Sequence, residues 1–157
     1  MSRPVAHFSR RYRFSASHRL HVPALSDEQN RGIYGKCNNP HGHGHNYWIE
    51  VTVAGPIAAD TGFVVDLPAL DALLHREVLD RFDHMHLNQD GAFGGAFVPS
   101  TENLAIEIER VLRIGVPRLA SHGLLRLVNI RIEETRNNAF DLPATASPEI
   151  QRPHMPA

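Results

Sequence analysis

A single cysteine, Cys37, stands among 157 residues. No disulfide can form within the chain, and that usage suits a reducing compartment. Charge of neither sign is in excess: Lys+Arg 16 against Asp+Glu 17 leave a formal net charge of -1. Such a balance provides no electrostatic footprint for nucleic acid or for an acidic membrane surface. No apolar run approaches the roughly 18–20 residues of a membrane span. The first residues, Met1 to His7, lack the basic-then-apolar pattern of a secretory signal. No repeat of domain scale is present, and the short echo Gly91-Ala92-Phe93-Gly94 and Gly95-Ala96-Phe97 reads as a mobile loop. These absences leave a soluble cytoplasmic domain, and its 42% hydrophobic content is ordinary for one globular core.

What the chain has in quantity is histidine, 11 residues, of which His41, His43 and His45 alternate with glycine in one short stretch. Imidazole is the commonest metal ligand and the side chain that titrates nearest neutrality.

Two strands are predicted by period-two alternation. In the first, Phe8, Tyr12, Phe14, Ala16 and His18 share a face opposite Ser9, Arg11, Arg13, Ser15 and Ser17. The second runs from about His43 to Ala54, with His43, His45, Tyr47, Ile49, Val51 and Val53 on one face and Gly55-Pro56 as its end. A short strand is expected at Phe63-Val64-Val65. A helix capped by Asp66, with Pro68 in its first turn, carries Leu70, Leu73, Leu74 and Val78 on one stripe and continues to Arg81. A second helix opens at Ser100 or Thr101 and presents Leu104, Ala105, Ile108, Val111 and Leu112, with Gly115 and Pro117 to end or kink it. A final strand from about Leu124 to Thr135 places Val128, Ile130, Ile132 and Glu134 inward, with Leu127, Asn129, Arg131 and Glu133 outward. The proline-bearing segment from Asp141 to Ala157 is expected to be a tail without regular structure, which sets the domain at residues 1–140 and the tail at 141–157. The order implies an α+β fold, an antiparallel sheet with both helices on one face. Its open edges are sites for pairing with another chain.

Residues two apart in a strand point the same way, with Cα atoms about 6.5–7 Å apart, so His43 and His45 can converge on one ion. His18 closes the apolar face of the neighbouring strand and is the third candidate ligand. Three nitrogen ligands with one open position are the pattern of a catalytic zinc site. His41 continues the alternation, but Pro40 and the glycines place it in a loop, outside the ligand set. Cys37 lies beside Lys36 and polar asparagines. A nearby cation or metal lowers a thiol pKa, so Cys37 reads either as a reactive thiol or as a fourth zinc ligand. Asp83-His84 is a candidate proton-transfer pair, and His86 makes a weaker second H-x-H with His84. Glu134, a carboxylate closing an apolar row, requires a partner or a ligand. Thr101 and Glu102 add polar groups at a helix start.

Phe14-Ser15-Ala16-Ser17-His18, the run Gly35-Lys36-Cys37-Asn38-Asn39-Pro40-His41-Gly42-His43-Gly44-His45-Asn46-Tyr47, Asp83-His84, Ser100-Thr101-Glu102-Asn103 and Glu134-Thr135 together resemble the 6-pyruvoyltetrahydropterin synthase family, which includes the 6-carboxytetrahydropterin synthases of the queuosine pathway. The resemblance covers Phe8 to about Asn138. It implies a tunnelling fold: a four-stranded antiparallel sheet with two helices, trimers that close a β-barrel, and two trimers stacked as a homohexamer. It implies Zn2+ on His18, His43 and His45, and a proton-transfer triad of Cys37, Asp83 and His84 assembled across subunits. It also implies that Glu134 anchors a pterin, with Thr101 and Glu102 lining the same pocket. The implied substrate is 7,8-dihydroneopterin triphosphate, converted to 6-pyruvoyltetrahydropterin with loss of triphosphate. Release of acetaldehyde to give the 6-carboxy product is the alternative, and the Cys37-to-His43 spacing resembles the pyruvoyl-forming members. Arg31, Lys36 and Arg136 are unranked candidates for the triphosphate. A non-enzymatic zinc- or pterin-binding module is a reading of another class. A histidine-ligated oxygenase requires a carboxylate ligand, and none is well placed near His43 and His45.

Overall fold

The computed structural model describes residues 3–93, 97–120 and 124–145. Two long strands, β1 (Val5–His18) and β2 (His43–Pro56), pair antiparallel from Val5 opposite Pro56 to His18 opposite His43. The expected inward residues are inside. Tyr12, Phe14, Ala16 and His18 of β1 and Tyr47, Ile49, Val51 and Val53 of β2 are all buried. Pairing continues through the expected stop at Gly55-Pro56, because Pro56 ends the ladder, where its missing N–H removes little.

The chain between β1 and β2 forms a helix that the sequence reading did not anticipate, α1 (Asp27–Tyr34). Its start carries a capping box: the Ser26 hydroxyl accepts from Gln29 N–H, and the Gln29 side chain accepts from Ser26 N–H. Conversely, Phe63-Val64-Val65 is not a strand. Gly62 turns there with φ 75, and Ala58 N–H donates to the Phe63 carbonyl at 2.9 Å. The segment has β-forming side chains but no partner strand beside it among the described residues.

Asp66 caps α2 (Leu67–Leu74), accepting from Ala69 N–H at 3.0 Å. A π turn over His75–Leu79 and the short α3 (Asp80–Phe82) carry the apolar stripe onward through Val78 and Phe82. A two-residue strand, β3 (Met85–His86), then pairs parallel to the end of β1. Ser100 caps α4 (Thr101–Gly115), which ends in a 3-10 turn at Val116–Leu119. Gly115 lies against α2: a Cβ there would stand 2.7 Å from Leu73 Cδ1, so a larger residue would have to push the Leu73 side chain aside. Both helical layers bury their stripes on the inward face of the sheet, in one cluster with Phe14, Ile49, Ile130 and Ile132.

Two expectations about the last strands are corrected. In β4 (Arg126–Glu133), Thr52 of β2 faces Asn129 while Val53 faces Leu127, leaving Val128 as an extra residue. That bulge reverses the alternation, so Leu127, expected outward, is 5% exposed and belongs to the core. The chain then returns as β5 (Ala139–Pro143), antiparallel to β4. Residues 141–143, expected to begin an irregular tail, are therefore strand. Leu142 faces Ile130, and Asp141 pairs with Arg131 and accepts from Asn129. The sheet consequently has five strands in the order β3-β1-β2-β4-β5 and is mixed, not a four-stranded antiparallel one. Residues 94–96 of the expected loop and 146–157 of the expected tail lie outside the described residues. Among the described residues no helix is long and apolar enough to cross a membrane.

Candidate functional site

The site lies where the β1–β2 ladder ends and histidines replace the apolar residues of the inward face. Gly42 makes the entry to β2 possible. Its φ is 72, and a Cβ there would meet the His18 carbonyl oxygen at 2.9 Å. The chain thus turns tightly against the end of β1 and sets His43 opposite His18. The rings of His18, His43 and His45 lie with centroids 4.8, 5.0 and 4.6 Å apart. One ligand nitrogen from each lies within 4.8 Å of the others.

His18 is held from behind. Its Nδ1 is 2.7 Å from the Pro99 carbonyl oxygen. A carbonyl only accepts, so Nδ1 carries the proton and Nε2 presents a lone pair to the cluster. The Nε2 atoms of His18, His43 and His45 are all buried and have no hydrogen-bond partner among the described residues. Three converging imidazole nitrogens form a set that fits a dication such as zinc. Burial, only partly offset by the Pro99 carbonyl, lowers the His18 pKa. Burial likewise lowers that of His45 against the opposing charge of Glu134. Both shifts favour the neutral imidazole that a metal requires. His41 is an exposed turn residue whose N–H donates to Asn39 Oδ1, outside the cluster as expected.

Glu134, the first residue after β4, reaches the same cavity. Its Oε1 lies 3.6 Å from His45 Nε2 and accepts a 2.6 Å hydrogen bond from the Thr101 hydroxyl. Glu133 points the other way and pairs with Arg11 at 3.0 Å. Thr101 is buried at the start of α4, two residues after the carbonyl that fixes His18, so one segment positions both His18 and the carboxylate. Behind that segment Arg81 grips Asp90 at 2.6 and 2.7 Å and Glu107 at 2.7 Å, tying α3 to α4. Glu102 is exposed and joins the cluster through no hydrogen bond or ion pair among the described residues.

Cys37 sits half-buried in a 3-10 turn, Gly35–Asn38, which the Cys37 carbonyl fastens to Leu20 N–H at 2.8 Å. Burial and then the Glu134 charge push the Cys37 thiol pKa up. Asp83 and His84 pair at 3.0 Å at the far edge of β1, where Asp83 Oδ1 also accepts from Ser15 N–H at 2.8 Å. That backbone donor is the first cause, with His84 after it, that holds the Asp83 carboxyl below its usual value. The His84 side chain is 82% exposed, and its φ of 59 is uncommon for a residue with a Cβ. No hydrogen bond among the described residues joins this pair to Cys37.

Two contributors were not singled out from the sequence. The Pro99 carbonyl carries no side-chain signal. Tyr47 lies within the His-Gly-His-Asn-Tyr run and reads as core, yet its buried hydroxyl has no hydrogen-bond partner. Burial first, then the neighbouring Glu134 charge, push its pKa upward.

The sequence profile described as "6-pyruvoyl tetrahydropterin synthase" matches residues 7–144. The chain belongs to that family. It is 42% identical over 137 residues to the Drosophila melanogaster "6-pyruvoyl tetrahydrobiopterin synthase", covering 86% of this chain and 77% of that protein. The solved structure of the Caenorhabditis elegans 6-pyruvoyl tetrahydropterin synthase superposes with a TM-score of 0.81 at 36% identity, over 92% of this chain and 99% of that one. Similarity also extends to a Halobacterium salinarum protein named "Probable 6-carboxy-5,6,7,8-tetrahydropterin synthase", 33% identical over 138 residues and covering 78% of this chain and 77% of that one. The family match contains all three histidines, Cys37, Asp83, His84, Thr101 and Glu134, and it includes β5, which the expected domain boundary had cut.

Proposed function

We propose that the chain is a zinc-dependent lyase that converts 7,8-dihydroneopterin triphosphate to 6-pyruvoyltetrahydropterin and releases triphosphate. The observation that carries this reading is the conjunction of three partnerless Nε2 atoms with a partly buried carboxylate 3.6 Å from one of them. A metal cluster alone serves many reactions; the adjacent Glu134 adds recognition. A 2-amino-4-oxopyrimidine edge presents two adjacent N–H donors, and a carboxylate accepts both as it does from arginine. Thr101 holds one oxygen of that carboxylate and so fixes its plane.

His18, His43 and His45 would hold the zinc, which when bound supplies a Lewis acid and a template for the substrate side chain. Cys37 is the candidate base. Burial and Glu134 push its thiol pKa up, so a proton acceptor beside it would favour the base form. His84 of the Asp83–His84 pair is exposed, ready to be that acceptor for a neighbouring subunit. A hexamer of two stacked trimers would bring the pair to Cys37 and cover the short edges β3 and β5. Glu102 has no part in this scheme as the chain is folded.

Incubation of the purified protein with 7,8-dihydroneopterin triphosphate, followed by mass analysis, tests the reading. Equimolar triphosphate and 6-pyruvoyltetrahydropterin are expected, with loss of both after chelation. Similarity to the Halobacterium protein motivates the second product: acetaldehyde with 6-carboxytetrahydropterin would establish that reaction instead. Unchanged substrate would contradict both.

A further inference from the structure

The residue that follows Cys37 is polar and buried. Asn38 is 6% exposed, and its amide nitrogen lies 2.8 Å from the Leu20 carbonyl oxygen and 3.1 Å from His21 Nδ1. A carbonyl only accepts, so the nitrogen of the carboxamide faces Leu20 and donates to it. The second N–H is left for His21, whose Nδ1 then accepts and whose Nε2 carries the proton. The Asn38 carbonyl adds a third tie, accepting from Arg19 Nε at 3.2 Å. Leu20 N–H in turn donates to the Cys37 carbonyl at 2.8 Å. Arg19, Leu20 and His21 come directly after His18. The 3-10 turn that carries Cys37 is therefore strapped to the stretch of chain that leaves the metal cluster.

A 3-10 turn of four residues has poor hydrogen-bond geometry of its own, so its place is set by what grips it from outside. A buried carboxamide destabilises unless its donors are used, and Asn38 spends both on one segment. We propose that Asn38 is a positioning residue for Cys37, its carboxamide bolting the turn to Leu20 and His21 and so fixing the thiol relative to the rings of His18, His43 and His45. Proton transfer requires the base within hydrogen-bond reach of its proton, and a displacement of about 1 Å can cost roughly 100-fold in rate. This inference rests on the role proposed above for Cys37 as base.

The test uses the full-length protein with Asn38→Leu, which removes both donors at similar volume, and His21→Phe, which removes one acceptor at a partly exposed position. Asn38→Leu should retain the parent's zinc content and lower kcat about 10- to 100-fold, with KM within about twofold. His21→Phe should lower kcat about twofold to tenfold, the range of one neutral hydrogen bond. Combined with Cys37→Ala, Asn38→Leu should turn over no more slowly than Cys37→Ala alone, since both act through one thiol. A readout independent of turnover is alkylation of Cys37, the chain's single thiol, by iodoacetamide in chelator-treated protein. Freeing the turn should speed the reaction about threefold or more over the parent, and the two should react alike in urea. Parent-like kcat in Asn38→Leu, equal alkylation of the native proteins (including none in either), loss of zinc, or additive losses in the double variant would each overturn the proposal. Should Asn38→Leu fail to fold, His21→Phe decides, and parent-like kcat and alkylation in that variant would overturn it. Parent-like turnover by Cys37→Ala would overturn the role of Cys37 and this inference with it. Slow turnover by Cys37→Ala beside parent-like turnover by Asn38→Leu would overturn this inference alone.

Discussion

The inward face of β2 has two halves that obey the same alternation and do opposite things. Ile49, Val51 and Val53 meet Ile130 and Ile132 in a sealed apolar layer. Their role is exhausted by packing, each buried side chain contributing roughly 1.5–3 kcal/mol. His43, His45 and Tyr47, with His18 opposite, occupy the same geometric positions farther along, yet each has a buried polar atom without a partner. An orphaned buried donor or acceptor destabilises by about 1–3 kcal/mol. The cost is confined to one end of the sheet, next to Glu134 and Thr101. The difference teaches that the site is the core continued with imidazoles and a hydroxyl in place of methyl groups. The rigid half supports the half that must bind something.

The sharpest way to break that comparison is to remove chemistry without removing packing. Cys37→Ala should lower turnover by about 100- to 10,000-fold, the usual worth of general acid–base help, with zinc content unchanged. Loss of zinc as well would make Cys37 a ligand. In the apolar half the opposite pattern is expected. Ile130→Ala should cost about 2–5 kcal/mol in urea unfolding while the folded fraction retains one metal per chain. A fall in metal affinity of the folded fraction would show that the two halves are not separable.

A finer contrast comes from neighbouring carboxylates on opposite faces. Glu134→Gln should weaken pterin binding about 10- to 100-fold, as expected for hydrogen bonds to a charged group. Glu133→Gln, which loses only the half-exposed pair with Arg11, should change stability by less than about 1 kcal/mol and binding not at all. Equal effects would mean that the face assignment is wrong.

How much of this was legible in the sequence follows the same division. Local chemistry was read well: period-two alternation exposed both faces of β1 and β2, and Asp66 and Ser100 announced their helices as caps. The three histidines fell on the inward face because nothing interrupts either strand. Long-range pairing was not legible. Phe63-Val64-Val65 has strand-forming residues and no neighbour to pair with, whereas β5 combines a proline and an aspartate with a partner in β4. The bulge at Val128 was invisible to alternation and reversed Leu127. The capping box at Ser26 and Gln29 was legible and passed over. The Pro99 carbonyl was not, because a backbone oxygen has no letter of its own.

The smallest expected effect concerns pH in the metal-free protein. Burial lowers the His18 and His45 pKa values below the ordinary imidazole value. The unfolded chain therefore binds more protons once pH drops below about 6.5, and stability rises with pH in that range. The contribution is complete above about 6.5 and lost as pH falls through the folded-state values. Urea midpoints of chelator-treated protein should fall between about pH 7 and pH 5, by more than those of a chelator-treated His18→Phe variant. Equal falls in the two proteins would contradict the assignment.

The central claim is tested most directly by metal content across a histidine series. Elemental analysis of the purified protein should give one zinc per chain, reduced to near zero in His18→Ala, His43→Ala and His45→Ala and unchanged in His41→Ala. Zinc retained by any of the first three at the level of the parent, or lost on changing His41, would contradict the account.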